Sequence, residues 1–381
     1  MIVNKIFVML KKELRETLRD KKSLSMMFII PLLIPIIVIG MSALFDYEAN
    51  RDVKEYNKIG FAYKLSDEEI KLAKDYEIDY QEGKEKDLVK LFEDKKLDLY
   101  LTKKDNVYTI HGDSSNDTSY ASNLVENYLN AYKAELQKNY LNENNIPADN
   151  VLNIISIDYD IKAKDDFVTS YMLSYAFMFL IMAVTVSATY PATDATAGEK
   201  ERGTLETLLT FPVDNKDIMM GKFLSISLSS MVTGLISLVL TAISIPIANN
   251  MFEIYDKNPL TLPFTGLLYI FLVVVLCSLM VSGLCILVAS KCKTFKEAQS
   301  ALTPITFISF FPAMIASMTG VSNSLIKSAI PFLNFTMIYE DVLDGKNCFL
   351  NIVIMVISCL VIIYILVKTN IKKYKSEKVL F

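Results

Sequence analysis

Three groups of residues in this chain have types and spacings that could do chemistry. The first lies in the polar run 193–212, where Glu199, Arg202 and Glu206 fall at i, i+3 and i+7. Leu205, Leu208 and Leu209 make an apolar patch beside them. Thr196 and Glu199 read as a capping box and Pro212 as a stop, which predicts one helix between them. Such a helix can be pressed by a cytosolic partner through charge-assisted contacts, or it can be an ordinary interfacial helix. The second group is a stripe of hydroxyls: Ser230, Ser237 and Ser244 at intervals of seven, with Thr233, Gly234 and Thr241 alongside. Small residues of this kind let helices pack closely; alternatively they offer oxygen ligands to a cation or a slot to an amphiphile. The third group, Glu340, Asp341 and Asp344, reads as an outer gate or ion mouth, or more simply as a solvated loop.

Other chemistries are poorly supplied. One histidine (His111) and five cysteines, with no HExxH or CxxC, do not make a conventional zinc or iron–sulfur site. The Gly-Lys pairs at 83–84, 221–222 and 345–346 lack the upstream glycine and following Ser/Thr of a phosphate-binding loop. The chain itself therefore carries no cofactor site, and its metal content is left open. No basic stripe interleaved with aromatics points to nucleic acid.

The elements that must position these groups follow from hydropathy. With 381 residues, 52% hydrophobic and a mean hydropathy of +0.32, the chain is not a purely soluble enzyme. A bilayer core needs about 20 mostly apolar residues. Six uncharged stretches qualify: 26–45, 167–193, 223–252, 258–290, 298–326 and 347–367. Twelve uncharged residues around Pro331, 328–339, are too short to cross and predict a re-entrant or interfacial hairpin within the region 223–367. The second span (Thr169, Ser170, Ser174) and the fifth (Thr303, Thr306, Ser309) add hydroxyls, but periodicity does not say which faces meet.

Charge sets the orientation. Seven Lys/Arg precede the first span, four follow the second, three follow the fourth and five lie in the tail 368–381. The short loops on the other side hold Lys257, Lys327 and Lys346. The positive-inside rule places both termini and the loop 194–222 in the cytoplasm of a multi-pass plasma-membrane protein. Segment 46–166, with 17 Lys/Arg and 27 Asp/Glu, is then extracellular. It alternates strand and helix patterns: a strand at 58–63, a capping box at Ser66–Glu69, a hairpin around Lys104-Asp105-Asn106, a long helix over 118–141 and a returning strand at 152–160. It holds no cysteine, so it predicts a small disulfide-free α/β domain. Residues 1–25 predict an amphipathic helix, with Val3, Phe7, Leu10, Leu14 and Thr17 on one stripe and basic residues opposite, suited to the lipid bilayer surface.

The run Gly198-Glu199-Lys200-Glu201-Arg202-Gly203-Thr204-Leu205-Glu206, with Leu208-Leu209 and Phe211-Pro212-Val213, resembles the coupling-helix signature of type-2 ABC exporter permeases. So does Lys12-Glu13-Leu14-Arg15-Glu16 with Arg19-Asp20-Lys21-Lys22, followed by Pro31 and Pro35 in the first span. The architecture is similar too: an amphipathic N-terminal helix, six transmembrane helices and an extracellular α/β domain between the first two. Within that family the likeness is strongest to the sodium-extrusion (NatB-type) permeases. The resemblance implies a transport subunit without its own ATP-hydrolysing site, energised by a separate ABC ATPase subunit that carries ATP and Mg. It also implies a permease homodimer or pseudo-dimer, with Glu199, Arg202, Gly203, Leu205, Glu206, Leu208 and Leu209 coupling to the ATPase. The substrate stays open between sodium and a drug, antimicrobial peptide or lipid. A receptor with an extracellular sensing domain is the rival class; a sensor should continue into a cytosolic output domain, and only fourteen residues follow the last span. A membrane-embedded enzyme finds no paired intramembrane carboxylates or nucleophile motif.

Overall fold

The computed structural model describes residues 2–113, 115–147, 167–210, 213–256, 259–319 and 323–375, and the backbone alone at 2–4, 116, 167–170, 206, 209, 317–319 and 375. The strand expected at 152–160 and the Phe211-Pro212 stop lie outside the described residues. The chain divides into two compact units: Met1–Asp46 with Ala163–Phe381, and the insert Tyr47–Lys162.

In the first unit, α1 (Ile2–Arg19) is followed at once by α2 (Lys21–Ala49). Asp20 makes the corner, accepting bonds from the Ser23 amide and hydroxyl at 2.9 and 2.8 Å. Burial opposes its ionisation, but these Ser23 bonds outweigh it and hold the carboxyl below the usual range. The remaining helices are α6 (Phe167–Thr193), α7 (Thr204–Leu209), α8 (Asn215–Met251), α9 (Phe264–Ala289), α10 (Phe295–Thr319), α11 (Leu333–Leu343) and α12 (Phe349–Lys375). Among the described residues, six helices, α2, α6, α8, α9, α10 and α12, are long and apolar enough to cross a membrane. Pro31 and Pro35 lie inside α2, as membrane helices tolerate. The inner helices are α6 and α9, whereas α2, α10 and α12 expose apolar side chains such as Ile36, Phe311 and Tyr364, a surface suited to lipid.

Close packing holds the interior together. A Cβ at Gly234 of α8 would lie 2.5 Å from Val274 of α9 and 2.8 Å from Val184 of α6, so three helices meet where the side chain is missing. Ser230, Thr233, Ser237, Thr241 and Ser244 flank this point, all buried, and each hydroxyl bonds a carbonyl of its own helix. After α10, a 3-10 turn (Lys327–Ala329) packs against α12, with the Ser358 hydroxyl donating to the Ala329 carbonyl at 2.6 Å. Ser358 is nine residues into α12, about 13 Å along its axis at 1.5 Å per residue. From there α11 climbs beside α6 and α9, its Phe335 carbonyl accepting from Tyr269 of α9 at 2.8 Å.

The insert is an α/β unit. Its four-stranded sheet, in the order β2-β1-β3-β4, comprises β1 (Lys58–Phe61), β2 (Asp79–Glu82), β3 (Leu99–Lys104) and β4 (Val107–His111). β1 runs parallel to β2 and β3, and β4 returns antiparallel through the Asp105-Asn106 turn, where Asp105 takes a φ of 54°. Between strands lie α3 (Asp67–Asp75) and α4 (Glu85–Glu93), and α5 (Asn116–Glu143) follows the sheet. The capping box at α3 is formed in both directions, Glu69 N to Ser66 Oγ at 3.2 Å and Ser66 N to Glu69 Oε2 at 2.8 Å. Ile59, Phe61, Leu99, Leu101, Val125 and Tyr128 form its core. Of the tyrosines spaced along α5, Tyr128 and Tyr132 are buried while Tyr140 is exposed.

Candidate functional site

The expected single helix after the second span takes a different form. α6 does not stop at Thr193; it widens into a π-turn (Asp194–Gly198) and continues through Glu199–Glu201. Thr196 is therefore inside a continuing helix rather than at a cap, and its hydroxyl bonds the Ala192 carbonyl at 2.6 Å. The break comes at Gly203, with φ +69°, a conformation costly for residues with a Cβ. α7 then starts at Thr204. Because Gly203 intervenes, Glu199 and Arg202 do not share one helical face with Glu206. The side chains of Glu206 and Leu209 lie outside the described ones.

Each remaining residue of the run has a distinct environment. Glu199, expected as an exposed contact, is buried. Arg202 is half exposed and pairs with Asp194 at 2.8 Å. Leu205 is buried and Leu208 half-buried at the edge of a cleft. Two neighbours that sequence reasoning passed over anchor the run. Glu201 accepts from the Phe295 amide at 2.6 Å, at the start of α10, and Lys200 donates to the Ser290 carbonyl at 2.7 Å, at the end of α9.

Glu199 belongs to a buried charge cluster. Its carboxylate meets the Lys222 ammonium at 2.6 Å, and Lys222 also meets Glu13 at 3.3 Å. Lys12 bridges the same two carboxylates, at 3.1 Å from Glu13 and 3.3 Å from Glu199, and reaches Glu16 at 3.1 Å. Lys222 is 0% exposed and Glu13 4%, so these charges are shielded from solvent and compensate one another. Burial and the neighbouring Lys222 pull the Lys12 pKa down, but Glu13 and Glu199 outweigh them and hold it above the ordinary lysine value. Glu13, Glu16 and Glu199 approach as a metal triad would, but two ammonium groups already occupy their oxygens. The cluster joins three elements: α1 (Lys12, Glu13), the extension of α6 (Glu199) and the foot of α8 (Lys222).

Gly221 makes the joint possible. A Cβ there would lie 2.6 Å from the Met9 Cβ and 3.3 Å from the Leu10 amide, so α1 rests on bare α8 backbone. The face of α1 that packs on α8 is thus Met9 with Glu13, a different face from the apolar stripe expected at the bilayer surface. Phe7 of that stripe stays exposed, and Leu10 and Leu14 are half-buried. Beside the cluster opens a cleft of about 700 Å³ lined by Glu16, Asp20, Asp194, Arg202, Thr207 and Leu208 among others. Its lining carries both charge signs with an apolar edge at Leu208. The pairing of Glu13 with Lys222 spans 209 positions, and the only local hint was a lysine sitting next to a glycine at the start of an apolar run.

Over 356 residues, 88% of this chain and 89% of the relative, the sequence is 27% identical to the ABC transporter permease protein NatB of Bacillus subtilis (strain 168). Residues 21–368 match the family described as ABC-2 family transporter protein. ABC-2 permeases are the membrane components of transporters whose ATPase is a separate subunit. With six membrane-length helices among the described residues and a match over residues 21–368, the chain belongs to the ABC-2 family of transporter proteins.

Proposed function

We propose that the chain is the membrane permease of an ATP-driven exporter that expels sodium ions, energised by an ABC ATPase docked in the cleft between α1 and α7. The observation that carries the docking surface is the buried cluster Glu13–Lys222–Glu199. It welds the N-terminal helix, the post-α6 run and α8 into one body. A push on the cleft would therefore reach two membrane helices together, biasing an equilibrium between membrane conformations. Arg202, Gly203, Glu206, Leu208 and Leu209 form the docking edge in this reading, while the buried Glu199 and Leu205 act from behind it. ATP and Mg reside on the partner, and two permeases pair to match two ATPases. Charge asymmetry supports cytoplasmic termini and an extracellular insert. Sodium rests on the likeness to sodium-extrusion permeases.

The test is coexpression with an ABC ATPase encoded beside the gene, followed by copurification and by ATP-driven uptake of radiolabelled Na+ into inverted vesicles. The Arg202→Ala/Glu206→Ala double variant should insert normally but lose ATPase. A charge-assisted docking bond is worth ~1.5–3 kcal/mol, against ~0–1 kcal/mol for an exposed ion pair. Unchanged copurification would remove these residues from the docking edge, and uptake of a drug, peptide or lipid instead of Na+ would replace the substrate.

A further inference from the structure

The carboxylates of the α11 end divide unequally. Lys346 pairs with Asp341 at 3.3 Å and also with Asp344, and Asp341 further accepts from Asn323 at 2.8 Å. Glu340 points the other way. It has no cationic partner among the described residues, and its one hydrogen bond is from the Ser174 hydroxyl of α6, at a long 3.4 Å. A half-buried carboxylate beside membrane helices without an ion-pair contact is costly, and such groups mark functional sites by default.

A second observation points to the same seam. Thr336 is 0% exposed and its hydroxyl has no hydrogen-bond partner. The residues three and four positions on, Tyr339 and Glu340, both meet α6. Tyr339 stacks on Phe177 at 4.3 Å between ring centroids, and Glu340 meets Ser174. Residues at i, i+3 and i+4 share a helical face, so Thr336 faces α6 one turn deeper than Glu340. A buried hydroxyl normally finds a partner, and this one does not even bond back to its own helix. The seam thus offers one carboxyl and two hydroxyl groups joined only by the long Ser174 bond, and the carboxyl ionises when a cation is there to balance it.

We propose that this seam between α6 and α11 binds a small monovalent cation, Na+, through the Glu340 carboxylate and the Ser174 and Thr336 hydroxyls. One unpaired carboxylate balances one positive charge, and hard oxygen ligands replace the hydration shell of an alkali ion. The identity of the ion, though not the existence of the site, rests on the sodium-efflux reading.

The experiment is equilibrium binding of radiolabelled Na+ to the purified permease–ATPase complex in lipid nanodiscs without nucleotide, alongside ATP-driven Na+ export. Glu340→Gln should weaken binding by at least about tenfold, a loss equivalent to ~1.4 kcal/mol. Thr336→Val, which keeps the shape and removes the oxygen, should weaken it several-fold, and Asp256→Asn, on the exposed turn after α8, should leave it unchanged. Size-exclusion profiles identify variants that fail to fold, and Thr336→Val carries the test if Glu340→Gln is among them. Wild-type binding in both seam variants, or no saturable binding by the wild type, overturns the site. Export by the wild type with binding untouched by the seam variants rejects the site alone. Binding lost in the variants without any ATP-driven export keeps the site and rejects sodium export.

Discussion

Replacing Lys222 with methionine should loosen the junction of α1, α6 and α8. Methionine fills nearly the same volume, so the change removes charge while sparing the tight crossing at Gly221. Lys222 is wholly buried, 2.6 Å from Glu199 and 3.3 Å from Glu13. Stripping one partner from a buried ion pair costs ~3–5 kcal/mol because the remaining charge stays buried and uncompensated. Lys12 stays within 3.3 Å of both carboxylates, which puts the expected cost near ~3 kcal/mol, about a hundredfold in the closed-to-open ratio of the junction. The assay is thermal unfolding of the purified complex, read by size-exclusion, with ATPase activity stimulated by transport measured in parallel. Adding Glu199→Gln to Lys222→Met should recover part of the loss, with a coupling energy of ~0.5–3 kcal/mol as for other contacting pairs. If Lys222→Met melts with the wild type and keeps coupled ATPase activity, the cluster is not what holds these elements together and the welded-body argument fails. Equal loss in the single and double variants would instead assign the defect to packing.

Gly203→Ala should destabilise the break between α6 and α7 by ~1–2 kcal/mol, since nothing crowds the position and only its left-handed φ of +69° resists a Cβ; Gly203→Asn should be milder, and ATPase copurification compares the two. Gly234→Val should be worse, because even a Cβ would overlap Val274 and Val184 at 2.5 and 2.8 Å, and overpacking costs ~1–3 kcal/mol or more; yield and melting temperature after detergent extraction report it. Burial, reinforced by Asp344 and Asp341 against Lys346 and the Ser174 hydroxyl, pushes the Glu340 carboxyl up to about 7. The folded protein then holds a proton that the unfolded chain has released, so stability should fall as pH rises from the ordinary carboxylate range to about 7 and flatten above it. Melting curves across that window should show this slope in the wild type and lose it in Glu340→Gln.

Much of the architecture was legible because it depends on local pattern. An uncharged run of about 20 residues has one stable way to satisfy its backbone in lipid, so length and hydropathy alone located six helices. The Ser66–Glu69 capping box and the Asp105-Asn106 turn were equally readable, since their bonds close within three residues. The same local grammar misplaced Thr196, where a Thr-x-x-Glu spacing sits inside a helix that arrives from α6 and has no free N-terminus to cap. The hydroxyl stripe of α8 was visible from its spacing, but only the approach of Val184 and Val274 to Gly234 shows that its neighbourhood is packed against α6 and α9. Glu199 looked like a surface charge until Lys222 and the distant Lys12 and Glu13 closed around it, and Thr336 carried no signal until the fold buried it. Periodicity describes the faces of one helix. Which faces meet depends on contacts between residues from about twenty to about two hundred positions apart, and those contacts decide whether a carboxylate is solvated, paired or left without an ion-pair partner.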